Sequence, residues 1–348
     1  MAGRTSELGL SGWPLRQCRE WAARRRHDGQ YDFATLAGFR EAWRKSRQAG
    51  DLVAYLAFRR DLGLPLHRHH LPLLLAVLPR LGPRAWLEAF NLIEEAMGRG
   101  HPPPIHLGPL KRRLCEVSPP LAALLADSAF VRKSPFLSAM ARLDREQEVR
   151  RAAFAAHLRS VPSLCVVGNH SGLIGSGLGA AIDAHACVVR FNQYRGPGSD
   201  LADLGERTDV WVRMPGVARE QIDFRGGWVV ISGPDLRYRL SNWHAARDLL
   251  ERNVPMLTVP LDVWRDLVAE LAAPPSAGLL FLAWLRRLLP HGLRGVGLAG
   301  FQRASDKEGA YHHAVVGKQA GHRHDWPLER ALLEDWTQEG GARWLARS

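Results

Sequence analysis

Asn169 and Asn192 each close a short apolar run, Leu164 to Val167 and Ala186 to Phe191, and a glycine-rich turn holding Gly168, Gly172, Gly175, Gly177 and Gly179 lies between them. Glycines let a backbone approach a phosphate closely, and the helix start behind them offers free N–H groups to an anion. Carboxamides at the ends of neighbouring strands can address one ligand, although an Asn in a turn is more often bonded to its own backbone. Farther on, Ser276-Ala-Gly278 opens an apolar helix, where the serine hydroxyl can cap free amides or face a ribose or anion. Two histidine groups follow, His312-His313 and His322-Arg-His324, the second trailed by Glu329. Imidazole titrates near neutrality, so these side chains can move a proton or ligate a metal. The metal reading is the weaker, because the two groups share no ligand spacing, and the chain has no Asp-x-Asp triplet.

The elements that must position these residues change character along the chain. From Tyr31 to His157 the periodicity is helical: Leu36, Phe39, Trp43, Leu52, Leu56 and Phe58 form one apolar stripe, Trp86 to Met97 a second helix, and Leu137 to Phe154 a third that opens after Pro135. Gly100 to Ile105 and Ser118-Pro-Pro120 read as extended connections. After Ser163, strands are predicted at 164–167, 186–191, 209–214, 228–232, 256–259 and 296–301, with helices at 262–271, 278–289 and 326–338. This interleaving predicts an α/β fold, a mainly parallel Rossmann-like sheet with helices on both faces. A helical region over 1–160 precedes a catalytic α/β domain over 161–348. Ligands in such sheets bind at the carboxyl ends of the strands.

The composition is that of a soluble globular chain of 348 residues, with net charge +12 and pI near 10.3. That balance favours acidic partners, and the clusters Arg24-Arg-Arg26 and Lys111-Arg-Arg113 are solvated faces that can also touch an anionic membrane surface. Cys18, Cys115, Cys165 and Cys187 have neither zinc nor disulfide-framework spacing, so a reducing, cytoplasmic compartment, or the inner face of a membrane, is expected. No secretory h-region and no apolar span of about 20 residues is present.

Beyond this direct reading, the segment from Cys165-Val-Val-Gly-Asn169 through Gly175-Ser-Gly-Leu-Gly179, Ile182-Asp183, His185, Val188-Val-Arg190, Asn192 and Gly205-Glu-Arg-Thr208 resembles the long sialyl motif of glycosyltransferase family 29, the sialyltransferases. Pro274-Pro-Ser276-Ala-Gly278 and Gly300-Phe301 resemble the start and end of its short motif. Tyr311-His312-His313 resembles motif III, and His324 with Glu329 has the HxxxxE spacing of the very short motif. The departures are Asn169-His-Ser171 in place of Asn-Ser-Gly, Ala314-Val-Val316 after His313, and the absence of the motif S cysteine near Leu293. The resemblance covers about Ser163 to Trp336.

It implies a GT-A-type fold and transfer of a sialic acid, or a related 2-keto sugar acid such as Kdo, from a CMP-linked donor to a glycan or glycolipid hydroxyl, with inversion and no metal cofactor. His324 is then the catalytic base, with His322 next in line, and His313 a donor-phosphate contact. Asn169, Asn192, Ser276, Gly278, Gly300, Phe301 and His312 bind the donor, and Gly175, Gly177 and Glu329 support the site. Trp243, His244 and the loop 234–242 are candidates for the acceptor side. Two other classes compete. Gly175 to Ala180 reads as the GxGxxA of a dinucleotide enzyme, but the glycines do not follow the strand directly and no acid closes the next one. A non-enzymatic nucleic-acid binder is suggested by charge alone, without a recognisable binding motif.

Overall fold

The computed structural model describes residues 9–64, 66, 69–97, 115–196, 199–214, 224–232, 243–303, 312–313 and 323–345. Seven strands, β1 (Leu164–Val167), β2 (Cys187–Phe191), β3 (Val210–Arg213), β4 (Trp228–Ile231), β5 (Met256–Thr258), β6 (Gly297–Ala299) and β7 (Arg343–Trp344), form one sheet. Its order is β5-β4-β3-β2-β1-β6-β7 and every pair is parallel. From β1 to β6 every strand residue except Trp228 is buried. That burial explains why these strands read as short continuous apolar runs rather than alternating ones. The chain lays β1 to β5 outward in one direction and then returns to set β6 on the other side of β1. The strand order therefore reverses between β1 and β6, where the carboxyl ends of the two strands leave a crevice.

Both faces are covered. On one, Val166, Val189, Phe191, Val212 and Val230 pack against the helices Gln147–Ser160, Leu261–Leu271, Ala277–Leu288 and Trp326–Gly340, and the same core continues into the helices Phe33–Ser46 and Ala49–Asp61. On the other, Trp211, Val229, Ile231 and Met256 meet the helices Pro119–Leu124, Pro135–Arg145 and Arg247–Glu251. A smaller cluster of Cys165, Val167, Val188 and Ala299 meets Leu173, Ile182 and Leu204 below the glycine-rich turn. Among the described residues no helix is long and apolar enough to cross a membrane.

Three expectations are corrected. The periodic stretch after Pro135 is two helices, Pro135–Arg145 and Gln147–Ser160, because its halves serve opposite faces: Leu137, Met140 and Leu143 on one, Phe154 and Leu158 on the other. The stripe from Leu36 to Phe58 is likewise divided, at Arg47 with φ 52, into Phe33–Ser46 and Ala49–Asp61. Ser118-Pro-Pro120 is not extended. Ser118 caps the helix Pro119–Leu124 by accepting the Leu121 N–H at 3.4 Å, and prolines suit a first turn whose amides need no partner. Residues 100–105 and 111–113 lie outside the described residues.

Cys165 pairs in register with Val188 and Cys187 with Leu164, so the two thiols point to opposite faces of the sheet. All four cysteines are buried and free. Burial pushes Cys115, Cys165 and Cys187 up to about 12.

Candidate active site

Gly168 and Gly300 leave β1 and β6 side by side at the crevice. The Gly168 N–H donates to Ala299 O at 2.8 Å and the His170 N–H to Gly300 O at 2.9 Å. A Cβ on Gly168 would stand 2.3 Å from the Gly300 carbonyl oxygen, so the two main chains touch in a way no other residue permits.

Asn169 stands at the top of β1. Its Nδ2 donates to Phe191 O at 2.9 Å and approaches His312 Nε2 at 3.2 Å. A carbonyl accepts only, so the amide orientation is set, and His312 must offer an unprotonated Nε2. The Asn169 carbonyl receives the His313 N–H at 2.9 Å. Asn169 Oδ1 and His313 Nδ1 are both buried without a hydrogen-bond partner among the described residues. Burial, with the Arg190 guanidinium as a second cause, lowers His313 to about 4, which makes it a neutral imidazole at pH 7.

Asn192 follows the local pattern instead. It has φ 45, its Oδ1 accepts the Met214 N–H at 3.1 Å, and its carbonyl accepts Trp211 Nε1 at 2.7 Å, so the side chain fastens the end of β3.

Gly175 and Gly177 do not present their amides to an external phosphate, as the glycine-rich pattern led one to expect. Both N–H groups are taken by the carboxylate of Asp203, at 2.6 and 2.7 Å. The rest of the long motif continues this scaffold: Asp183 accepts the amides of Glu206 and Arg207, and buried Arg190 donates to the carbonyls of Arg207 and Leu204. Sequence reasoning missed Asp203, Arg190 and Asp183 as the posts of this loop, although each lies inside the motif stretch.

The third group is the corner between the helices Ala277–Leu288 and Trp326–Gly340. Ser276 Oγ accepts the Leu279 N–H at 3.2 Å as the helix cap. The Ser276 N–H donates to Glu329 Oε1 at 2.7 Å. His324 sits at the mouth of the second helix, where Asp325 accepts the Leu328 N–H. Its Nδ1 lies 2.7 Å from Pro274 O and 3.8 Å from Glu329 Oε1. Since Pro274 O can only accept, the His324 proton is on Nδ1 and Nε2 carries the lone pair. Burial lowers the His324 pKa, the Pro274 carbonyl opposes that and Arg323 adds to it. The spacing from His324 to Glu329 thus clasps the turn 274–276 from both sides. Glu329 is 5% exposed, and burial raises its carboxyl to about 7 against the hydrogen bonds from Ser276.

Phe301 joins the groups. It packs edge-on against Phe191, with ring centroids 6.1 Å apart, and it touches the strand-end glycine Gly168 and the helix glycine Gly278, where a Cβ would meet its ring at 3.2 and 2.8 Å respectively. A continuous line of contacts therefore runs from His313 and Asn169 through Gly168, Phe301 and the first turn of the helix at Ser276–Gly278 to Glu329 and His324. Trp243 is not on it: the ring is fully buried in the second core. His244 stacks on Phe136 at 4.9 Å. His322, Tyr311 and residues 234–242 and 314–316 lie outside the described residues. No cluster of metal-ligating side chains is present among the described residues.

The fold is thus a parallel α/β sheet with helices on both faces, preceded by helices, and with its polar groups gathered at the switch point. Residues 138–238 match the model of glycosyltransferase family 29 (sialyltransferase). The matched stretch includes β1 to β4, Asn169 and Asn192; Ser276, Phe301, His313 and His324 lie beyond it. Among solved structures, a mammalian sialyltransferase in complex with Gal-beta-1-3GalNAc-ortho-nitrophenol is 21% identical over 55% of this chain and 72% of its own, with a TM-score of 0.41. Another structure of a mammalian sialyltransferase is 20% identical over 55% of this chain and 71% of its own, also at 0.41. No curated protein matches the chain in sequence.

Proposed function

We propose that the chain transfers a sialic acid, or a related 2-keto sugar acid, from a CMP-linked donor to a glycan hydroxyl, with inversion and with His324 as general base. The observation that supports this is the line of contacts joining Asn169, Phe301, Ser276 and His324 at the β1/β6 crevice, because it gathers the four motif segments at the place where a parallel sheet binds nucleotides. In this reading the unpartnered Asn169 Oδ1 takes a donor N–H or O–H, and the first turn of the helix behind Ser276 faces the donor with its free amides.

The reaction breaks the bond between the anomeric carbon and the phosphate oxygen of CMP while the acceptor oxygen bonds to that carbon from the opposite side. The acceptor proton passes to His324 Nε2, whose lone pair is free because Nδ1–H is held by Pro274 O. Charge left on the departing phosphate is met by a neutral His313 donating an N–H, which is the role its lowered pKa leaves open to it. No metal enters this scheme.

A thermal-shift panel of CMP, CDP, UDP, GDP and NAD tests the reading. CMP should give the largest shift, and a preference for NAD would replace it with a dinucleotide enzyme. With CMP-sialic acid and a galactoside acceptor, His324→Ala should lose a factor of roughly 100 to 10,000 in kcat. Turnover equal to the unmodified chain would remove His324 from the role of base.

A further inference from the structure

The helical region before β1 carries no group used in the transfer scheme, yet it touches the loop that bears His324. Helix Leu15–His27 ends in a turn in which the Asp28 N–H donates to Arg24 O at 2.8 Å and the Gln30 N–H to Arg25 O at 2.9 Å. Gly29 follows at φ 80, and a Cβ there would lie 2.1 Å from the carbonyl oxygen and 2.7 Å from the Cα of Arg323. Two residues on, the Tyr31 N–H donates to Ala272 O at 2.8 Å. Arg323 directly precedes His324, and Ala272 leads into Pro274, whose carbonyl holds the His324 Nδ1–H. One short turn therefore abuts both pieces of main chain that set the imidazole, the piece that carries it and the piece that accepts from it.

The turn is itself anchored. Tyr31 is 3% exposed and packs on Phe58 with ring centroids 5.2 Å apart, and Arg26, which pairs with Asp61 at 3.0 Å, lies beside it. Because the atoms facing Gly29 are main chain rather than the far end of a flexible side chain, added bulk cannot be absorbed without moving Arg323 and His324.

We propose that the N-terminal helical region braces the proton-accepting histidine, with Gly29 as a positioning residue that holds the Arg323–His324 segment against Pro274. This rests on the reading of His324 as base. The charged groups at this corner are Arg323 and Asp325 beside His324, and Glu329 from the helix behind it.

The test compares Gly29→Ala and Gly29→Asn in the full chain, with Gly12→Ala as control because no heavy atom lies near a Cβ at position 12. Asparagine tolerates positive φ, so it relieves backbone strain but keeps the Cβ. If the contact with Arg323 matters, Asn will not rescue Ala. Two readouts are taken: the NMR titration of the His324 imidazole, assigned with His324→Gln and needing no donor, and kcat against donor KM. Both Gly29 variants should raise the His324 pKa toward about 6.5 as the ring loses its buried seat. They should cut kcat on the order of 100-fold, with donor KM unchanged and Gly12→Ala like the unmodified chain. Should the Gly29 variants not fold, Tyr31→Phe, which removes only the hydroxyl facing Arg26, should move the same titration in the same direction by less. An unmoved His324 titration in every folded variant, or full rescue by Asn, overturns the proposal. A moved titration in a chain that transfers nothing from CMP-sialic acid upholds the brace and removes the transferase reading.

Discussion

At the scale of single residues, Glu329 shows how burial sets chemistry. Its carboxyl is raised from 4.5 to about 7, so between those values the folded chain binds a proton that the unfolded chain has released. Stability from this group is therefore fully present at low pH and falls as pH rises through that window. Glu329→Gln keeps an oxygen for the Ser276 N–H and removes the charge. Urea unfolding should show it close to the unmodified chain at pH 4.5 and more stable at pH 8, by up to roughly 3 kcal/mol. His313 works in the opposite sense. Its pKa is lowered to about 4, so its share of stability is present above 6.5 and is lost as pH falls toward 4. Residue types and spacing made Ser276 and Asn169 visible in the sequence, because each stands beside a helix start or strand end that its neighbours signal, whereas His324 and Glu329 stood out through the resemblance to the family's very short motif. Asn192 and the glycine pair were visible as polar turns but not as to their partners. A carboxylate such as Asp203, 28 and 26 residues beyond Gly175 and Gly177, leaves no local sign that it fills their amides.

At the scale of elements, β5 is an edge strand whose outer backbone groups would otherwise be open to another chain. Helix Gln147–Ser160 closes it: Gln147 Oε1 accepts the Thr258 N–H at 2.8 Å and its hydroxyl at 2.9 Å, Arg150 donates to Met256 O at 3.1 Å and Arg151 to Thr258 O at 2.9 Å. The side-chain amide stands in for the peptide of a missing strand. Gln147→Ala leaves the buried Thr258 N–H without its acceptor and should cost about 1–3 kcal/mol, read as a lower urea midpoint at unchanged slope. The six strands of the sheet core were legible because parallel strands buried on both faces are short apolar runs. β7 was not, since two residues, one of them the exposed Arg343, carry no periodicity. The break at Glu146 was also hidden, because both helices around it present apolar residues at helical spacing and only the sheet decides that they face opposite sides.

At the scale of the molecule, a single apolar core passes from Phe39, Leu56 and Phe58 through Val166 and Val189 to Phe281, Trp284 and Trp336. The helices before β1 and the sheet therefore share this core. Heating should accordingly give one cooperative transition, with far-UV and near-UV dichroism coincident. Separate transitions would show that the helices before β1 fold by themselves. The positive charge, too, is partly internal: Arg19, Arg25 and Arg26 are engaged by Asp51, Asp32 and Asp61, so the basic cluster near the start of the chain offers less free charge than its composition suggests.

The placement of the cysteines has a consequence for handling the protein. Two of them sit back to back across a β-sheet, none is cross-linked, and the three with pKa values near 12 hold almost no thiolate at neutral pH. Alkylating reagents and mild oxidants therefore find little to attack while the chain is folded, and reductants have no covalent staple to remove.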